Sequence, residues 1–140
     1  MDHVGIVVTD IEEATAFFVD LGLEPQGGGP VGGDLVGRVI GLDGVRAEIA
    51  MLQTPDGHSR VELAQFHAPS SPGSDPRPPA NAPGIRHITF AVDDVDAVVA
   101  RLTARGAELV GTVEQYSDVY RLCYIRGPEG IIVELAERLG

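Results

Sequence analysis

The chain has 140 residues with 21 acidic and 10 basic side chains, all of the latter arginine, and a formal net charge of −11. This acidity disfavours nucleic acid and anionic membranes as partners, and the lack of lysine excludes Schiff-base chemistry and a lysine-dependent phosphate loop. The single Cys123 cannot form an internal disulfide bond, and there is no signal peptide and no apolar run of about 18 residues, so a cytoplasmic location is expected.

The first part of the chain predicts one strand, one helix and three further strands. Val4–Val8 is apolar and β-branched, which is typical of a strand, and Thr9 or Asp10 then caps a helix that ends at Gly22. Residues 24–35 are glycine-rich and are predicted to form a loop. The three remaining strands of this unit are predicted at Val36–Leu42, Arg46–Leu52 and Arg60–His67.

A proline-rich segment at 68–84 divides the chain. It holds six of the ten prolines and almost no large apolar side chain, so it is predicted to be a linker. The length of the chain predicts a single domain over residues 1–140, with module 1 at 1–67 and module 2 at 85–140.

Module 2 repeats the order of module 1. Strand Ile85–Val92 leads to a helix that begins after Asp93 or Asp94 and ends at Gly106. Three strands are then predicted near Glu108–Val113, Val119–Arg126 and Gly130–Glu137.

One histidine and one glutamate recur at matching places in the two modules. His3 and His87 stand at the start of the first strands, while Glu62 and Glu134 lie in the closing strands SRVELA and IIVELA, each after a Pro-acidic-Gly turn. Because alternate strand residues point to opposite faces, these four side chains are expected on one face among mostly small neighbours, with large apolar residues on the other. A single histidine or glutamate at such a position would more often be a structural or surface residue. Because the same pair occurs in both modules, we interpret this face as the floor of a cavity.

Two imidazoles and two carboxylates form a donor set for one divalent ion. Such a set suits Zn²⁺, Ni²⁺, Mn²⁺, Fe²⁺ or Co²⁺, and two carboxylates balance the charge of the ion. Without thiolate ligands, an open site that keeps a position for water or substrate is expected rather than a structural zinc site.

The repeated unit resembles the vicinal-oxygen-chelate superfamily, which includes glyoxalase I, methylmalonyl-CoA epimerase, extradiol dioxygenases and bleomycin-binding proteins. The resemblance rests on the opening strands DHVGIVV and RHITFAV and on the closing strands described above, and it covers nearly the whole chain. It implies an α+β fold of two tandem βαβββ modules, whose mixed sheet curls half-open around a metal cavity with one helix per module on the outer face. It also implies that His3, Glu62, His87 and Glu134 are the metal ligands.

The ligand set most resembles that of glyoxalase I. This implies a small oxygen-rich substrate, proton abstraction next to a carbonyl by Glu134, and an enediolate held on the metal. Asp20 stands where glyoxalase I usually presents an arginine, which argues against glutathione as co-substrate. Arg121 is the one basic candidate for substrate binding, with a structural role as its alternative.

Other activities of the superfamily stay open. The segment Gly44–Met51 is similar to one that carries an additional catalytic glutamate in the epimerase, which would be Glu48 here, although an exposed strand position is the simpler interpretation. An extradiol-type dioxygenase would need only two histidines and one glutamate, so Glu62 would crowd its iron. A non-catalytic protein that binds a small molecule or an antibiotic is the remaining alternative. Since the superfamily builds its sites within one chain or across a dimer, a homodimer is expected.

Overall fold

A computed structural model describes residues 1–140 as an α+β structure with two mixed sheets. The chain divides into two compact units, Met1–Ser74 and Asp75–Gly140. None of the α-helices has the length and apolar character needed to cross a membrane.

The first unit contains a four-stranded sheet in the order β1-β4-β3-β2. Its β1 and β4 are parallel, and the other neighbours are antiparallel. Its elements are β1 (Val4–Val7), α1 (Ile11–Leu21), β2 (Glu24–Gly32), α2 (Asp34–Ile40), β3 (Arg46–Gln53) and β4 (Arg60–Ala68).

The second unit contains a five-stranded sheet in which β5, β9, β8 and β6 are consecutive neighbours and β7 also pairs with β8. Again the first and last strands of the unit are parallel. Its elements are β5 (His87–Val92), α3 (Val95–Ala104), β6 (Glu108–Leu109), β7 (Glu114–Tyr116), β8 (Tyr120–Arg126), a 3₁₀ turn (Pro128–Gly130) and β9 (Ile132–Arg138).

Both long helices begin at an aspartate cap and cover one face of their own sheet. The side chain of Asp10 accepts a hydrogen bond from the backbone of Glu13, and Asp94 does the same for Ala97, which satisfies donors that the first helical turn leaves free. The apolar side chains that these helices bury are Ile11, Ala14, Phe17, Phe18 and Leu21 in α1, and Val95, Val98 and Leu102 in α3. The alternate strand residues Val61, Leu63, Val133 and Leu135 are at most 2% exposed, so the expected apolar face is present in both units.

The α+β class and the repeated strand order are therefore confirmed, but two predictions inside module 1 were wrong. Residues 24–35 are not a loop, because β2 occupies Glu24–Gly32 and pairs with β3. A Cβ atom at Gly28 would collide with the backbone carbonyl of Ile49, so glycine is needed there for close approach of two strands. Residues Val36–Leu42 are not a strand, because most of this segment belongs to α2, and module 1 thus has two helices.

Module 2 differs from its prediction only in detail. Of the strand predicted at Glu108–Val113, only the two residues of β6 are present, and an additional strand, β7, begins at Glu114. The proline-rich segment contains no helix or strand from Pro69 to Arg86, although its second part belongs to the compact unit that starts at Asp75.

Candidate metal centre

The first histidine–glutamate pair lies across the parallel strands of the first unit. Glu62 in β4 stands opposite Gly5 in β1, two residues after His3. The side chains of His3 and Glu62 therefore share one face of the sheet, and Nε2 of the histidine lies 3.6 Å from Oε2 of the glutamate.

The second pair repeats this arrangement in the second unit. Glu134 in β9 stands opposite Thr89 in β5, again two residues after the histidine, which is His87. Here Nε2 and Oε2 are 3.4 Å apart. The two modules thus place their pairs in the same register of the same kind of strand pairing.

In the first pair, a carboxylate fixes the orientation of the histidine. Nδ1 of His3 lies 2.7 Å from Oδ2 of Asp2, and Arg60 contacts the other oxygen of Asp2. Because a carboxylate can only accept, Nδ1 is the donor in this contact, and Nε2 is the nitrogen that a neutral imidazole would offer to an ion. The hydrogen bond to His3 and the charge of Arg60 hold the pKa of Asp2 below its usual value.

In the second pair, hydroxyl groups rather than a carboxylate contact the glutamate and the histidine. Thr89 donates a hydrogen bond of 2.9 Å to Oε2 of Glu134. The hydroxyl of Tyr124 lies 3.1 Å from Nδ1 of His87, and the two rings are tilted against each other with centroids 4.7 Å apart. Sequence reasoning missed Tyr124, whose only signal would have been its position opposite Glu134 in the neighbouring strand.

Each pair fits one half of a divalent-metal site. Two ligands held at about 2.1 Å from one ion lie roughly 3.0 to 3.4 Å apart, and the observed nitrogen–oxygen distances of 3.6 and 3.4 Å are close to this range. The carboxylates of Glu62 and Glu134 are 29% and 19% exposed, so a cation would offset the cost of their partial burial. No group of three or more histidine, cysteine, aspartate or glutamate side chains is arranged to hold an ion, and the four-ligand site stays a prediction.

The other two predicted site residues lie elsewhere. Glu48 stands opposite Gln65 on β4, which puts it on the sheet face opposite to that of Glu62, and its Oε1 lies 3.8 Å from Nε2 of His67. Arg121 stands opposite Glu137 on β9, also off the face of Glu134. It donates a hydrogen bond of 2.8 Å to Asp96 of α3, which raises the pKa of Arg121.

These contacts give Arg121 a structural role. Glu137, which stands opposite Arg121, accepts a hydrogen bond from the backbone N–H of Val95 at the start of α3. Arg121 and Glu137 therefore both link this helix to the sheet. Cys123 is also off the candidate site face, and burial raises the pKa of its thiol, which disfavours a nucleophilic role.

The fold consists of two units in which the first and the last strand are parallel neighbours, and comparison with known proteins shows the family to which the chain belongs. Residues 2–124 match the model of the Glyoxalase/Bleomycin resistance protein/Dioxygenase superfamily. The chain belongs to this superfamily, as its resemblance to the vicinal-oxygen-chelate proteins implied.

Similar proteins match over almost their full length. A glyoxalase family protein from Bacillus cereus, known from a crystal structure, is 51% identical with a TM-score of 0.97, covering 100% of this chain and 94% of the other. Protein YaeR of Escherichia coli strain K12 is 29% identical over 97% of this chain and 94% of its own. Protein YwbC of Bacillus subtilis strain 168 is 26% identical over 99% of this chain and 97% of its own.

Proposed function

We propose that this chain is a divalent-metal-dependent enzyme of the glyoxalase I type, which isomerises a small oxygen-rich carbonyl substrate by moving a proton between adjacent carbons. The observation that supports this best is the duplicated histidine–glutamate pair, built twice in the same strand register with Nε2–Oε2 distances of 3.6 and 3.4 Å. An accidental pair would not be expected at the same place in both modules.

In this proposal His3, Glu62, His87 and Glu134 hold the ion, which is Zn²⁺, Ni²⁺, Mn²⁺, Fe²⁺ or Co²⁺. When bound, a divalent ion polarises substrate oxygens as a Lewis acid and lowers the cost of charge that develops on them. The Asp2–His3 contact keeps one ligand of this set in a single orientation.

Glu134 is the proposed general base. Its carboxylate takes the proton from the carbon next to the carbonyl and returns it to the neighbouring carbon, so that the reaction has no net proton change. At 19% exposure it is the least exposed of the four side chains, which favours proton transfer to substrate over exchange with water. The hydroxyl of Thr89 donates to Oε2 and holds the carboxyl group in position.

The decisive experiment combines metal analysis with a turnover screen. The purified protein is analysed for bound metal, stripped with a chelator, reloaded with each of the five ions, and tested with hemithioacetals of methylglyoxal and with acyl-CoA epimers. The proposal expects activity on a hemithioacetal that is lost on stripping and restored by a particular ion. Turnover of the acyl-CoA epimers would instead identify an epimerase, and tight ligand binding without any turnover would identify a binding protein.

Variants of the two glutamates test the assigned roles. We expect Glu134→Gln to reduce kcat by at least about a hundredfold, in the range of lost acid–base catalysis, while metal is still bound. Glu62→Gln should mainly weaken metal binding, so that excess metal restores much of the activity. Glu12→Gln, on the exposed face of α1, is the control that should behave like the native protein. Unchanged kcat in Glu134→Gln would remove Glu134 as the base.

The proposed enzyme works in the cytoplasm as a homodimer, in keeping with the symmetric pairing that is commonest among oligomers. Light scattering after size-exclusion chromatography tests this assembly. A monomer with full activity would contradict it.

A further inference from the structure

The face of the second sheet that carries His87 and Glu134 continues beyond this pair over small side chains. On β9, Ala136 is the next residue after Glu134 on the same face, because alternate strand residues share a face. Ala91 of β5 stands opposite Ala136 and is exposed. Next to the proposed base, the surface of the sheet is therefore open to a ligand.

In the other direction along the strands, the same face is covered. Ile132, two residues before Glu134, is only 3% exposed. Arg126, which stands opposite Ile132, donates a hydrogen bond to the backbone carbonyl of Gly130. Along the strands of this sheet, a ligand that touches Glu134 can therefore extend only towards Ala136 and the residues beyond it.

The open direction leads to one arginine and two tyrosines. Arg138 follows Glu134 by four residues on the same face of β9, which is about 13 Å along a strand. Tyr120 of β8 stands opposite Arg138, and Tyr116 of β7 stands opposite Tyr120. Both tyrosines are exposed. We call Arg138, Tyr120 and Tyr116 the far cluster.

The guanidinium of Arg138 is available to bind an anion. The side chain is exposed and makes no hydrogen bond or ion pair, whereas Arg121 binds Asp96 behind the sheet. A guanidinium is a planar fork of N–H donors that can hold a carboxylate or a phosphate through two parallel hydrogen bonds. In a chain with a net charge of −11, it also supplies a local attraction for an anionic ligand.

The cross-strand neighbour of Arg138 on this face carries no charge. It is Tyr120, whose hydroxyl can donate a further hydrogen bond to an anion. The carboxylate of Glu114 lies on β7, one strand further out, in line with Leu122 rather than with Tyr120, and it accepts a hydrogen bond from Thr112. An anion held by Arg138 would therefore meet a donor across the strands and not a carboxylate.

We propose that the substrate carries a carboxylate or a phosphate at the end remote from its reacting carbonyl, and that Arg138 of the far cluster binds this group. Arg138 thus takes the role that the sequence suggested for Arg121, which lies on the other face of the sheet. The position of the carbonyl in this inference rests on the proposed function, whereas the anion site at Arg138 does not.

Monohydroxamates of succinic, adipic and suberic acid test the inference. Each offers two adjacent oxygens to a metal and a carboxylate at a different distance from them, and the corresponding carboxamides have the same lengths without the charge. Their affinities for the zinc-loaded protein are measured by calorimetry. We expect the carboxylate of the fitting length to bind about tenfold more tightly than its carboxamide, as for hydrogen bonds to a charged group.

The phosphonate of the fitting length then shows which anion the site prefers. Tighter binding of either the carboxylate or the phosphonate than of the carboxamide supports the inference. If neither anion binds more tightly than the carboxamide at any of the three lengths, the inference is overturned.

Variants show whether Arg138 is the origin of this preference. Arg138→Gln should abolish it, and Arg138→Lys should keep only part of it, because the charge remains while the planar fork is lost. Arg38→Gln, in α2 of the first unit, removes the same charge elsewhere and should keep the full preference. The native preference in Arg138→Gln would overturn the inference. A dimer that becomes a monomer in Arg138→Gln would also overturn it, since the far cluster would then bind a second copy of the chain.

A metal-free measurement separates this inference from the proposed function. If acetohydroxamate shows no zinc-dependent binding, the proposed metal site fails, and the far cluster is judged with butyrate and butyramide on the zinc-free protein. Backbone amide shifts at Tyr120 and Leu139 that appear with butyrate only, and are lost in Arg138→Gln, would support an anion site at Arg138. Equal responses to the two probes in the native protein would overturn it.

Discussion

Asp2 and Tyr124 each contact Nδ1 of one of the two histidines, Asp2 through a carboxylate and Tyr124 through a hydroxyl group. Asp2 carries a charge, accepts from His3 over 2.7 Å and is itself contacted by Arg60. Tyr124 is neutral, and its hydroxyl lies within 3.1 Å of Nδ1 and 3.4 Å of Nε2 of His87, so it can accept or donate. His3 is thus held in one tautomer, whereas the hydroxyl contact alone leaves the tautomer of His87 open.

This difference gives a prediction about metal affinity. We expect Asp2→Asn to weaken metal binding by about 10- to 100-fold, because the oxygen that accepts from Nδ1 of His3 then carries no negative charge and raises the basicity of the histidine less. Competition with a chromogenic chelator measures the affinity. Asp43→Asn, on an exposed loop before β3, is the matched control. An unchanged affinity in Asp2→Asn would show that Asp2 does not support a metal ligand.

The proline-rich segment, predicted to be only a linker, makes specific contacts with the second unit. Arg77 lies in this segment and donates to Glu108 of β6 over 2.7 Å. A Cβ atom at Gly130 would collide with the backbone carbonyl of Pro76, so the segment runs close against the turn before β9. Both contacts tie the part of the segment after Ser74 to the second unit.

The Arg77–Glu108 contact predicts a titration shift. The hydrogen bond from Arg77 and its charge lower the pKa of Glu108 below the usual 4.5. A lowered pKa means that this contact stabilises the fold above the unfolded pKa, and that the stabilisation is lost as the pH falls through the folded pKa. We expect Arg77→Ala to raise the pKa of Glu108, as measured by carbon NMR of its carboxyl group.

Arg138→Ala is the control for the general loss of one positive charge, because Arg138 stands opposite Tyr120 at one end of β8, whereas Glu108 stands opposite Arg126 at the other end. It should leave the titration of Glu108 nearly unchanged, since exposed charges at a distance are screened. A pKa of Glu108 that is the same in Arg77→Ala and in the native protein would rule out the contact in solution.

For the whole molecule, the formal charge of −11 is the dominant long-range term. Mutual repulsion of the carboxylates opposes the compact state, and added salt screens it. We expect Tm to rise between 20 mM and 300 mM sodium chloride at pH 7.5. The rise should shrink at pH 5, where the net charge approaches zero near the sequence pI of about 4.6. A Tm that falls with salt at pH 7.5 would contradict this account.

Repetition made much of this fold predictable from sequence. The strands that carry His3, Glu62, His87 and Glu134 could be aligned with each other, so the face that each histidine shares with its glutamate followed from the alternation of strand residues, while the strand pairing and register came from the structure. The glycines of β2 could not be interpreted in this way, because their need for close approach to β3 is a tertiary effect. Tyr124 was missed for a similar reason, since its contact with His87 depends on how β8 pairs with β9.

The boundary between Ser74 and Asp75 leaves every strand with its partners on its own side. Backbone cleavage at this point would cut no ladder of either sheet, and each histidine–glutamate pair lies entirely on one side of it. A chimera that joins one half of this chain to the other half of a relative at this boundary would therefore keep both pairs whole, each from a single parent.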